Sequence, residues 1–388
     1  MPLPHPCLSP SPPLASPCQT VVLSDEEPRW SPFEGEQVAG SGKTALLRPV
    51  VAAAEADDMD ILLLSRNAKL ATELGQELNV VAHTLAWLSR YLWTPYKPTL
   101  MIIDEAGVID QHDMLAVLAA GKNPYVQIVA VGDRWQSQPI DRQATWGVIE
   151  QETANMDVTA HLSTTYRCAQ WADEAAKLRN GDRTAIAAKD NRIHTGDVAD
   201  IADEVMARQR NGEEALALTY DNETAADISD EVQASSGVTI DSRTRLRWRQ
   251  QCGVGDTVRT RLNDYTVGVR NGDTWTVVGI SRDGIHLKHQ RTGGEASIGH
   301  DWAAEWVELG YALTADAAQG VTVDRAVVLA DGMGRSKLYA AATRGRQAPV
   351  YYSSDEEPLA AVEEAIRYDD IADTVYEIMT PLDDEPET

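Results

Sequence analysis

Short, uninterrupted apolar runs recur along the chain at Ile61–Leu64, Leu100–Ile103, Ile128–Val131, Ala215–Leu218, Ala326–Ala330 and Val350–Tyr352. Each has the length of a strand, and each is continuous instead of alternating, which is the pattern of strands covered on both faces in a parallel sheet. Most are separated by stretches of helical spacing, such as Ala68–Leu78 and Thr224–Gln233, so the expected class is α/β with doubly wound sheets. Pro49 falls inside the helical stretch that follows residue 44 and, lacking a backbone donor, predicts a kink there.

Between Thr239 and Asp301 the texture becomes β. Strand-like Thr257–Arg261 and Thr274–Val278 flank hairpin signals at Asn271-Gly272 and Asp283-Gly284, predicting a small barrel inserted in a second α/β domain. Just ahead of it Arg243, Arg245, Arg247 and Arg249 alternate around Leu246 and Trp248. On a strand that spacing puts four guanidiniums on one face, either as a ribbon that tracks phosphates with stacking nearby or as a solvated face. The two ends lack periodicity. Residues 1–32 hold nine of the 18 prolines and an acidic Asp25-Glu26-Glu27, predicting a disordered or extended segment, and residues 376–388 read as an acidic tail.

A chain of 388 residues with 43% hydrophobic content can hold two or three packed domains. No apolar run approaches the roughly 18 residues of a membrane helix, and no basic-then-apolar leader opens the sequence, so a cytoplasmic protein is expected. Cys7, Cys18, Cys168 and Cys252 have no paired short spacing, which supports neither a disulfide framework nor a zinc site. The net charge of −26 at first argues against a polyanionic partner. Charges beyond about 8 Å are largely screened at physiological ionic strength, however, so a local basic groove can still hold phosphates.

The chemistry begins at Gln37–Thr44. Ala39, Gly40, Ser41 and Gly42 form a glycine-paired turn whose amides face a phosphate, Lys43 reaches the β- and γ-phosphates, and the Thr44 hydroxyl meets Mg²⁺. Gln37 stands where the first glycine of such loops usually lies. The strand Leu100–Ile103 then delivers Asp104, expected to hold Mg²⁺ through its water shell, and Glu105, expected to polarise the attacking water. A third strand leads to Gly132-Asp133-Arg134-Trp135-Gln136, where the neutral amide of Gln136 suits sensing of a γ-phosphate.

The order phosphate loop, Asp104-Glu105-Ala106, then Gly132-Asp133 through Gln136 to Pro139 resembles superfamily 1 DNA helicases of the RecD-like branch. Leu162–Arg167 is similar to that family's fourth motif, Gly310–Thr322 to its fifth and Leu338–Arg346 to its sixth. Gly255–Val258, Asn263-Asp264 and Val269–Asp273 look most like the helicase half of TraI/TraA-type conjugative relaxases. The resemblance implies two RecA-like parallel-sheet domains, residues 33–160 and residues 161–240 with 306–375, and an SH3-like β-barrel at 241–305. It implies ATP and Mg²⁺ held at the domain seam, with Arg167 facing the γ-phosphate, Arg344 as arginine finger, and Gln319 and Gly320 beside the nucleotide.

It further implies 5′-to-3′ movement on single-stranded DNA or at a junction with duplex. DNA contacts are implied at Ser65, Arg66, Thr84 and Thr314 and on the barrel face, to which the arginine run adds Arg245 and Arg247; Trp87, Tyr265 and Trp275 are candidate base stackers. The family usually has Pro-Thr in place of Arg66-Asn67 and His in place of Asp316. Proline-rich sequence replaces the helix and strand that open its ATP domain. About 40 residues precede the phosphate loop, too few for a nicking domain, so the expectation is a motor detached from a relaxase. A second reading is a DNA-binding or regulatory module that keeps the fold without turnover. A phosphate-loop kinase would leave Gln136, Arg167, Gln319 and Arg344 unexplained.

Overall fold

Three sheets organise the protein in the computed structural model, which describes residues 20–24, 43–66, 68–91, 93–132, 159–161, 167–186 and 191–368. The first unit runs β1 (Thr20–Ser24), α1 (Lys43–Ala56), β2 (Asp60–Ser65), α2 (Ala68–Leu78), β3 (Val81–Thr84), α3 (Leu85–Arg90), β4 (Thr99–Ile103), α4 (Gln111–Gly121), β5 (Val126–Val131) and β6 (Thr159–His161). Its strands lie in the order β3-β2-β4-β5-β1-β6, all parallel.

The continuous apolar runs explain this layering residue by residue. Leu62, Leu64, Met101, Ile103, Ile128 and Ala130 pack on one face with Leu85 and Leu88 of α3 and Met114 and Val117 of α4. The intervening Leu63, Leu100, Ile102, Val129 and Val131 pack on the other with Leu47 and Val51 of α1 and Leu74 and Leu78 of α2. Alternate side chains of one strand thus serve opposite cores, which is why polar positions are excluded from it. Helix α1 extends through Pro49, and the carbonyl four residues back belongs to the exposed Ala45, where water can satisfy it.

The second unit repeats the design with α5 (Ala172–Arg179), β7 (Ile193–Thr195), α6 (Val198–Arg210), β8 (Ala215–Thr219) and α7 (Asn222–Ser236). An inserted segment follows: β9 (Thr257–Thr260), β10 (Thr274–Ile280), β11 (Ile285–His289), β12 (Glu295–Ile298), α8 (His300–Trp306) and β13 (Val307–Leu309). The chain then returns through β14 (Ala312–Thr314), β15 (Arg325–Leu329), α9 (Arg335–Ala342), β16 (Val350–Ser353) and α10 (Pro358–Arg367). The parallel order is β14-β8-β15-β16-β7, and the inserted antiparallel order is β12-β11-β10-β9-β13.

Buried polar bonds seat the inserted sheet on the second unit. Gln233 of α7 donates to Asp256 Oδ2 at 2.6 Å, and the Tyr311 hydroxyl donates to Asp256 Oδ1 at 2.7 Å. On the other side the sheet touches the first unit, where Lys69 Nζ of α2 donates to the Gly272 carbonyl at 2.9 Å and Arg291 pairs with Glu73.

Three expectations are corrected. Residues 20–24 do not belong to an irregular segment: Thr20-Val21-Val22-Leu23-Ser24 is a β-branched run that pairs between β5 and β6 and restores a strand to the opening of the first sheet. The arginine ribbon is not a strand either. Residues 247–249 form a 3₁₀ turn in which Trp248 and Arg249 have φ of 55° and 63°, so the alternation carries no common face. Trp275, 2% exposed, is a core residue whose Nε1 donates to Thr260 Oγ1 at 3.4 Å, so it cannot stack on a ligand.

Candidate nucleotide and nucleic-acid site

Parallel sheets collect their chemistry at the carboxyl ends of the strands. At the end of β4 the chain leaves the sheet through Asp104, whose amide donates to the Leu64 carbonyl at 2.9 Å, and Glu105, which adopts a left-handed conformation of φ 54° and ψ 43°. A non-glycine residue rarely takes that conformation, and it turns the Glu105 carboxylate away from the course of the strand. Next to it, at the end of β2, Ser65 is fully buried and its hydroxyl has no hydrogen-bond partner. Arg66 is exposed. Thr84, level with Ser65 on β3, caps α3 by accepting from the Trp87 amide at 3.3 Å, so its hydroxyl already has a structural task. Trp87 stacks on His83 with ring centroids 4.0 Å apart, and Tyr265 is 71% exposed.

From the second unit come Arg167 and Arg344. The Arg344 side chain is buried, and its Nε donates to the Ala340 carbonyl at 2.7 Å. Arg167 Nη1 donates to the Thr343 carbonyl at 3.4 Å, while its buried Nε has no hydrogen-bond partner. Burial pushes the Arg344 guanidinium down to about 10; the charge of Arg167 adds to this, and that of Glu105 opposes it. Arg167 is lowered by burial as well, again against the pull of Glu105. One carboxylate of the first unit therefore lies within electrostatic reach of two guanidiniums of the second.

The turn after β14 also reaches the first unit. Gly320 has φ +79°, and a Cβ there would stand 2.6 Å from Leu70 Cδ2 of α2. Beside it the buried Nε2 of Gln319 has no hydrogen-bond partner. Thr314 is 8% exposed, with its hydroxyl accepting from the Ala317 amide at 3.1 Å. Asp316 pairs with Lys337 at 3.5 Å.

The remaining predicted residues divide plainly. Ala39, Gly40, Ser41, Gly42 and Gln136 lie outside the described residues, and Lys43 and Thr44 are described only as the first turn of α1. Arg245 is exposed, and Arg247 is turned toward the inserted sheet, where its Nη1 donates to the Glu305 carbonyl at 2.8 Å. The arginine pattern thus missed the residues that do converge, Arg259 and Arg261 with Glu308. Their signal was the spacing of two within Thr257–Arg261, read above only as a strand.

A family model described as an AAA domain matches residues 26–198. The conjugal transfer protein TraA of Rhizobium radiobacter is 26% identical over 350 residues, 81% of this chain and 30% of that protein. The RecBCD enzyme subunit RecD of Mycolicibacterium smegmatis is 24% identical over 359 residues, 85% of this chain and 64% of that one. The chain thus spans about a third of the TraA relative's length. Among solved structures, Pif1 from Bacteroides bound to single-stranded DNA shares the fold, with a TM-score of 0.56 and 15% identity over 88% of this chain and 90% of that one. Among the described residues no helix is long and apolar enough to cross a membrane. With the motif order written in its own residues, the chain is similar to RecD and to the TraA conjugal transfer proteins and shares the fold of the Pif1 helicase.

Proposed function

We propose that the chain is an ATP-hydrolysing motor that translocates on single-stranded DNA and separates strands at a junction, moving 5′ to 3′. The observation that supports this reading is that Glu105 at the end of β4 lies within electrostatic reach of Arg167 and Arg344 of the second parallel-sheet unit. Two buried cations beside one carboxylate leave positive charge unmatched. Together with the unpartnered polar atoms of Arg167 and Gln319, this suits a triphosphate with its magnesium ion.

Lys43 and Thr44, with Ala39–Gly42 ahead of them, would hold the phosphates and the metal, and Asp104 would meet the metal's water shell. Glu105 would take the proton of the attacking water, oriented by Gln136. The ion, when bound, draws charge from the terminal phosphate. Arg167 and Arg344 would stabilise the charge that spreads over the equatorial oxygens and sense its loss, so that the seam loosens after hydrolysis. Gln319 and Gly320 would carry that change from the nucleotide to α2. The relatives' names, a conjugal transfer protein and a RecBCD enzyme subunit, support examining the chain in conjugal transfer and beside RecBCD.

The test is ATP turnover with and without single-stranded DNA, measured for the parent chain and Lys43→Ala. The expected result is DNA-stimulated turnover in the parent and none in the variant. Equal turnover in both would replace the motor with a DNA-binding module that keeps only the fold.

A further inference from the structure

The inserted sheet and the second parallel sheet meet at a narrow cleft lined by Thr314, Trp248, Arg259, Arg261 and Glu308. Arg259 on β9 and Arg261 just beyond it project to the same side, and Arg247 reaches in from the preceding turn. All three approach one carboxylate, Glu308 of β13. Arg261 Nη1 donates to Oε1 at 3.1 Å, Arg259 Nη1 lies 3.7 Å from the same oxygen, and Arg247 Nε lies 4.0 Å from Oε2. Trp248 Nε1 also donates to Oε2, at 3.4 Å. Three guanidiniums against one carboxylate leave the cleft positive in a chain whose net charge is −26.

Arg259 is the informative member. It is 8% exposed, and its Nη1 is buried with no hydrogen-bond partner. Burial pushes it down to about 10, with Arg261 adding to the shift and Glu308 opposing it. A planar donor fork held this way is built for a tetrahedral oxyanion, which can engage several guanidiniums at once where a single carboxylate leaves one donor idle. The open space is only ≈ 10 Å³, about one water, so an anion enters only by displacing the Glu308 carboxylate. Trp248 lines the cleft yet remains 46% exposed, with its indole presented by a φ of 55°. Arg259 Nη2 donates to the Ala317 carbonyl at 3.1 Å, inside the turn that carries Gln319 and Gly320.

We propose that this cleft is a phosphodiester subsite for the single strand, closed in the free protein by Glu308, whose carboxylate stands in for the phosphate, with Trp248 as the stacking face for an adjoining base. The proposal rests on the DNA-motor reading above and adds to it the gripping residues and a built-in competitor. Filling the subsite replaces the Glu308 contacts of Arg259 and so bears on the Ala317 turn beside the nucleotide.

The experiment is fluorescence anisotropy of a labelled oligothymidylate with the full chain and with Glu308→Gln, Arg261→Gln and Trp248→Ala, each checked for folding by circular dichroism. Glu308→Gln is expected to bind about tenfold tighter and Arg261→Gln about tenfold weaker, each the equivalent of one charge-assisted hydrogen bond. Trp248→Ala is expected to weaken binding without changing its salt dependence. Weaker binding by Glu308→Gln would overturn the competitor, since the carboxylate would then be positioning the arginines. Should Glu308→Gln fail to fold, the other two variants decide, and parental affinity in both overturns the subsite. A parent chain that binds no strand removes the motor reading and the subsite together, whereas a parent that binds with unmoved variants removes the subsite alone.

Discussion

Arg344 is a cation that the fold has taken out of water. Its Nε is spent on the Ala340 carbonyl, and the charges of Arg167 and Glu105 both act on it. Burying a guanidinium beside another is unfavourable unless something anionic arrives, and Glu105 alone neutralises only one of the two. Arg344→Ala is therefore expected to keep nucleotide affinity within about tenfold while turnover falls by roughly 10³ to 10⁵, the usual loss for a missing arginine finger. Fluorescent-nucleotide titration beside steady-state hydrolysis reads both numbers, and near-normal turnover would take Arg344 out of the site. Glu105 adds a left-handed backbone at the end of a buried strand, a conformation that costs a non-glycine residue free energy.

Elements decide which of the predicted contacts are free to bind anything. Thr84 was singled out for nucleic acid, yet its oxygen is the N-cap of α3, a helix of six residues that starts where β3 ends. Thr84→Ala is accordingly expected to lower stability by about 1 kcal/mol, with Thr84→Ser restoring most of it. Thermal melts and strand binding measured together separate the roles: unchanged stability with lost binding would return Thr84 to the DNA path. The arginine run teaches the same lesson in reverse. An alternating spacing argues for a strand only if the backbone is extended, and the left-handed Trp248 and Arg249 break it. Arg259 of β9 and Arg261 one residue past its end instead both approach Glu308.

Taken whole, the molecule is strongly acidic, yet Arg247, Arg259 and Arg261 cluster where the inserted sheet meets the second parallel sheet. Charges spread over the surface are screened, while guanidiniums in a low-dielectric cleft are not, so net charge and local affinity have opposite signs. Binding of single-stranded DNA is expected to weaken as salt rises, each phosphate neutralised contributing about −0.7 to the slope of log K against log salt. Titration at several salt concentrations checks it, and a flat slope would mean that no phosphate is gripped. The inserted sheet is central to this geometry. It is bonded to α7 through Asp256 and to α2 through Lys69 and Glu73, so it spans both parallel-sheet units. Gly320 makes the other bridge, against Leu70 of the same helix.

Six strands of the two parallel sheets, β2, β4, β5, β8, β15 and β16, were legible in the amino-acid sequence, and the helix Ala68–Leu78 to the residue. So were the order of the motifs and the presence of an inserted β unit. These follow from side chains a few positions apart, because burial on both faces selects an unbroken apolar run wherever it occurs. Tertiary structure alone decided that Thr20–Ser24 enters the first sheet, that Glu105 meets Arg167 and Arg344, and that Glu308 gathers three arginines. Each of those depends on groups distant along the chain, and local spacing holds no information about which distant charge or strand edge will stand opposite.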